Sequence, residues 1–128
     1  MPGELVTRFI DAIVANDLDT ASSLVSDDIE YDNVPMGKVN GKEAFHSFLG
    51  PFLDSALEIE WIIHHQVASG GLGNGVVMNE RVDRFKMAGG WMEPPVAGLF
   101  VIQDGLITLW RDYFDLATFQ TQLANVSS

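Results

Sequence analysis

Apolar and polar positions along the chain separate it into short helices and, later, long alternating runs. Over residues 4–15, Leu5, Phe9, Ile10 and Ile13 recur at the spacing of one helix face, and Asn16 follows as a stop. A second short helix is expected over 18–25, with Asp17 or Asp19 near its start. Residues 28–33 read as a strand closed by Pro35 and Gly37. Helical spacing returns over 41–55, where Phe45, Phe48, Leu49, Phe52 and Leu53 share a face. Pro51 lies inside that stretch and predicts a kink or a break.

From residue 57 the period falls to two. Leu57, Ile59, Trp61, Ile63 and Val67 alternate with Glu58, Glu60, His64 and Gln66. Gly70, Gly71, Gly73 and Gly75 mark a loose turn before a strand over 76–87, and Ala88-Gly89-Gly90 a turn before a strand over 96–103. Asp104-Gly105 is a hairpin signal leading into 106–114, and Asp115 caps a last helix through Leu123. Helices collected on one side of a curled mixed or antiparallel sheet form an α+β cone around an apolar cavity. No repeat or linker interrupts the pattern, so residues 1–128 are expected to form one domain.

Composition narrows the partners. With 47% hydrophobic residues, a chain of 128 residues can build a sizeable core. Eighteen acidic against seven basic residues give a net charge of −11, which repels nucleic acids and anionic membranes at long range. The absence of cysteine removes disulfides and thiolate chemistry together and suits the cytoplasm. The start lacks a basic signal region, and no apolar run approaches the roughly 18 residues that span a bilayer, so a soluble chain is expected.

Strand parity then singles out candidate chemistry. In 76–87 one face carries Val77, Asn79, Arg81, Asp83, Phe85 and Met87, an ion pair set among apolar neighbours. Thr108, Trp110, Asp112 and Phe114 share a face of the last strand, and Ile29, Tyr31 and Asn33 one of the first. Charges in such places are costly unless paired and hydrogen-bonded. A structural network, with Arg81 neutralising two buried aspartates, and a small-molecule site both satisfy that condition, and parity leaves the two open. Met36, Phe85, Val96 and Phe114 are the expected pocket lining, each with a core role as the alternative.

The motifs Tyr31-Asp-Asn33-Val-Pro35, Asn79-Glu-Arg81-Val-Asp83 and Trp110-Arg-Asp112-Tyr-Phe-Asp115 resemble those of the limonene-1,2-epoxide hydrolase family, within the NTF2-like (SnoaL-like) cone fold. The resemblance implies that Asp112, Tyr31 and Asn33 hold a nucleophilic water, with Asp112 taking its proton. It implies that Asp83 protonates the epoxide oxygen and that Arg81 bridges the aspartates. The product is then a vicinal diol, formed without a covalent intermediate or a cofactor. A homodimer is also implied, joined through the outer face of the sheet. The chain departs from the pattern at Met36–Gly41 and at the glycine-rich turn over 69–75, and it begins close to the first helix, without the extension some members carry.

Two other functions share this fold: a ketosteroid-isomerase-like or polyketide-cyclase-like enzyme, and a non-catalytic protein binding a small hydrophobic ligand. The first does not call for an Arg-x-Asp pair with a third-strand aspartate and a tyrosine–asparagine water site; the second is favoured if side chains fill the cavity or a bound ligand emerges unchanged. His64 and His65, adjacent on a strand, are expected on opposite faces, and His46 on a helix surface, so no metal site is expected. No Gly-x-Ser-x-Gly elbow or phosphate loop is present. Trp91 and Met92 follow a Gly-Gly turn, where they could cover a cavity mouth or simply fill a loop.

Overall fold

The computed structural model describes residues 1–127. Its first layer holds helices α1 (Pro2–Val14), α2 (Leu18–Ser23) and α3 (Lys42–Ser55), with α4 (Leu116–Val126) closing the chain. The second is a sheet of β1 (Val25–Asn33), β2 (Gly37–Asn40), β3 (Glu58–Gly70), β4 (Asn74–Met87), β5 (Gly90–Met92), β6 (Pro95–Gln103) and β7 (Leu106–Tyr113). The strand order is β2-β1-β7-β6-β4-β3, with β5 alongside β4. All neighbours are antiparallel except β1 and β7, so the sheet is mixed.

Helix α1 buries Leu5, Val6, Phe9, Ile10 and Ile13, and its apolar face packs on β3 and β4. Of the two candidate caps for α2, Asp17 holds the position: its carboxylate accepts from the Thr20 backbone N–H at 3.2 Å. Asp115 does the same for α4, accepting from Thr118 N–H at 2.9 Å. The expected break at Pro51 does not occur; α3 runs unbroken to Ser55. Pro51 sits on the exposed side, where the carbonyl of exposed Ser47, which loses its partner, can be solvated. Phe45, Leu49 and Leu53 anchor the opposite side.

Two short strands lie in segments read as turns. β2 pairs Gly37–Asn40 against Glu30–Asn33, and β5 pairs Gly90–Met92 against Phe85–Met87. Each is too short for alternation to reveal. The register shifts in β1 between Val25 and Glu30, and one bulge each in β3 and β7 resets the parity of those strands. Ile63 pairs with Arg81 but His65 with Glu80, so His64 is an extra residue in β3. Gln66 is thereby moved to the inner side and Val67, expected inside, is 68% exposed. His64 and His65 are both exposed rather than divided between two faces. Leu57, also expected inside, lies before the strand and is exposed.

In β7, Leu109 pairs with Val101 and Ile107 with Ile102, so Thr108 is extra. Ile107, not Thr108, therefore joins Trp110 and Asp112 as a buried residue; the Thr108 hydroxyl donates to the Val101 carbonyl at 3.4 Å. Bulges bend the strands that carry them, which helps curl the sheet around the helices. No described helix is long and apolar enough to cross a membrane.

Candidate active site

Cross-strand register brings distant residues into neighbouring rows on the concave face. One row runs Gln66–Asn79–Gly98–Asp112–Asn33 across β3, β4, β6, β7 and β1. The next places Arg81 between Ile63 and Val96, and beyond it Asp83 faces Trp61. Asn79, Arg81, Asp83, Asp112 and Asn33 are all buried. Sequence positions 31, 33, 81, 83 and 112 thus meet in one place.

Arg81 is the hub. Its Nε donates to Asp83 Oδ1 and its Nη2 to Asp83 Oδ2, both at 2.9 Å, a side-on bidentate pair. Nη2 also donates to Asp112 Oδ2 at 2.8 Å, and Nη1 donates to Asn79 Oδ1 at 2.9 Å. The guanidinium carbon lies 5.0 Å from the Trp61 ring centroid, a cation–π contact. Asp112 is held from its other side by the Trp110 indole N–H, which donates to Oδ1 at 2.8 Å. Trp110 in turn stacks on Tyr31, with centroids 4.3 Å apart, and on Phe100 at 6.0 Å. These rings fix the planes from which the polar groups project.

The electrostatics follow from burial. Loss of solvent pushes the Asp83 carboxyl up to about 6, against the pull of Arg81 and with the help of Asp112. Arg81 is held further above its ordinary value: burial opposes its charge, but Asp112 and Asp83 together outweigh it. Burial raises Tyr31 as well, with the Asp112 charge adding to the effect, so its hydroxyl stays protonated. The cluster therefore keeps a proton on or near Asp83 at a pH where ordinary carboxylates have lost theirs.

A cavity of about 300 Å³ opens against this cluster. Tyr31, Asn33, Asp83 and Asp112 contribute its polar lining, while Arg81 lies behind the two carboxylates. Met36, Phe85, Val96 and Phe114, the lining expected from parity, all border it. Sequence reading did not assign Phe48, Leu49 and Phe52 of α3, Trp61 of β3, Pro94 or Phe119 of α4 to the lining. The α3 residues were legible as an apolar face; that this face borders space rather than core is a property of the assembled layers. Trp91 does not border the cavity: it lies beneath Arg84, whose guanidinium is 4.2 Å from its ring.

Comparison with known proteins gives this geometry a lineage. Residues 2–125 match the model of the limonene-1,2-epoxide hydrolase catalytic domain. The chain belongs to that family. Epoxide hydrolase EphG of Mycobacterium tuberculosis is 32% identical over 111 residues, spanning 87% of this chain and 71% of that protein. The structure of an LEH-like epoxide hydrolase from M. tuberculosis superposes with a TM-score of 0.79 at 29% identity, covering 96% of this chain and 89% of that one. An NTF2-like protein of unknown function from Cytophaga hutchinsonii shares the fold, with a TM-score of 0.72 at 20% identity over 94% and 95% of the two chains. The expected α+β cone and the family are thus established, and family membership supports epoxide hydrolysis as the activity.

Proposed function

We propose that this member of the family hydrates a hydrophobic epoxide in one push–pull step. The observation that carries the reading is that two aspartates on one guanidinium face the same apolar cavity beside a tyrosine and an asparagine. Asp83, the group whose proton is retained, donates it to the epoxide oxygen as the ring C–O bond breaks. Water held by Tyr31, Asn33 and Asp112 forms the new C–O bond and gives its proton to Asp112. The ring carbons then carry two hydroxyls, a vicinal diol. One proton has left Asp83 and one has arrived at Asp112, so exchange across the cluster or with solvent restores the starting state. Arg81, charged throughout, keeps the two carboxylates apart and the total charge low.

An epoxide combines a poor leaving group with a poor attacking nucleophile, so acid and base assistance are both called for, each typically worth about 10²–10⁴-fold. Fixing the water between three partners removes part of its entropic barrier. The apolar lining, with Met36, Phe85, Val96 and Phe114 among its members, favours a hydrophobic substrate body. Single-turnover hydration in oxygen-18 water tests the step: label is expected in the diol, none in the protein. Label incorporated first into an aspartate, or an isomerised or cyclised product, would sink this mechanism.

The working unit is proposed to be a homodimer in the cytoplasm, joined through the convex face of the sheet. There Met78 lies between Val67 and Leu99, and Val76 beside Val101, with Met78 and Val76 46% and 41% exposed. An apolar row of this kind on a strongly acidic protein offers one surface where like-charged copies can meet. Met78→Glu is expected to convert the sedimenting species from dimer to monomer. A wild-type protein that sediments as a monomer would overturn the assignment.

A further inference from the structure

The proposed reaction depends on where Arg81 points, and the structure shows a hydrogen-bond chain that fixes it from behind. Arg81 Nη1 donates to Asn79 Oδ1 at 2.9 Å. Asn79 Nδ2 donates to Gln66 Oε1 at 3.1 Å. Gln66 Nε2 donates to the Gly3 carbonyl at 3.2 Å and to Thr7 Oγ1 at 3.3 Å, and the Thr7 hydroxyl donates to the same Gly3 carbonyl at 3.0 Å. The chain crosses from β4 to β3 and ends on the first turns of α1. We infer that Asn79 and Gln66 are positioning residues that set the orientation of Arg81, and through it the placement of both aspartates in the reaction proposed above.

Polarity makes the chain one-directional. Arginine has only donors, so the Asn79 amide must turn its oxygen to Arg81 and its nitrogen away. Its nitrogen needs an acceptor, which fixes the Gln66 amide, and the backbone carbonyl of Gly3 anchors the far end as an acceptor only. Neither amide can flip without placing donor against donor or acceptor against acceptor. The site is also built for a closely fitted guanidinium. Gly98 lies between Asn79 and Asp112 in the row, and Arg81 Nη1 occupies the space a side chain there would fill. Four hydrogen bonds donated to three side chains, with Trp61 over the guanidinium face, leave Arg81 one orientation. Asn79 is the one partner among those three that does not border the cavity. It is thus placed to hold Arg81 rather than to touch substrate.

Asn79→Leu and Gln66→Met keep side-chain size and remove the chain at two points. Asn79→Leu is expected to lower kcat by about 10- to 100-fold, the cost of misplacing reacting groups by a fraction of an ångström to an ångström, with KM changed little. Gln66→Met acts at one remove, at a half-buried site, and should lower kcat less, again without moving KM. The charged groups facing Asp83 are Arg81 and Asp112, and Arg81 is the one that lowers it. Loosening Arg81 should therefore shift the alkaline fall of kcat/KM, expected near 6 in the wild type, to higher pH. Carbon-13 titration of the aspartate carboxyls reads the same displacement without any substrate. Variants that keep wild-type kcat and the wild-type Asp83 titration would overturn the assignment. If no epoxide is turned over by the wild type but the Asp83 titration moves in Asn79→Leu, the positioning role stands and the hydrolase mechanism falls.

Discussion

Asp112→Asn is expected to lower kcat for epoxide hydration by roughly 10²–10⁴-fold, the range for losing one positioned base. The variant should still fold. Both Asp112 oxygens accept: Oδ1 from the Trp110 indole and Oδ2 from Arg81. An asparagine has one acceptor oxygen, so in either amide orientation its NH₂ group meets a donor. That mismatch costs about 1–3 kcal/mol, a fraction of the roughly 5–15 kcal/mol that stabilises a domain. Diol formation by quantified product analysis, alongside thermal unfolding, separates the two effects. Near-wild-type turnover in the folded variant would remove Asp112 from the mechanism.

The second large effect comes from a residue with no side chain. A Cβ on Gly98 would fall inside contact distance of Arg81 Nη1, 2.9 Å from Asp112 Oδ1 and 3.0 Å from Asn79 Oδ1. Gly98→Ala must therefore displace the guanidinium or a carboxylate. A loss of about 10²-fold in kcat is expected from a shift on the order of 1 Å, with overpacking costing about 1–3 kcal/mol of stability. Gly89→Ala serves as the contrast. A Cβ there would meet the Val126 carbonyl oxygen at 2.8 Å, away from the cluster, so it should destabilise without lowering kcat per folded molecule. Equal kcat losses in the two variants would show that Gly98 acts through general stability alone.

The structure separates what alternation can report from what it cannot. Tyr31, Asn33, Arg81, Asp83 and Asp112 were recognisable because each interrupts an apolar strand face, and burying polar groups needs a reason. Their convergence follows from register: Asn33 beside Asp112 and Asn79 beside Gly98 are facts of strand pairing between segments far apart in sequence. Thr108, Val67 and the histidines were misplaced because one extra residue in a strand inverts every later position, and a bulge leaves no mark in residue type. Gln66 was hidden for the same reason: before the bulge is known, it reads as a solvent-facing residue.

By itself, then, the sequence determined the helix faces, the long alternating strands, the cap at Asp115, and the polar residues that interrupt the apolar strand faces. Those properties are local: periodicity, turn chemistry and the cost of burying charge act over a few residues. The tertiary structure alone decided the parallel pairing of β1 with β7, the bulges, and the space left beside Asp83 and Asp112. It also decided that Gly98 must yield its volume to Arg81. These are matters of which segments meet and what volume remains between them, and no local pattern carries that information.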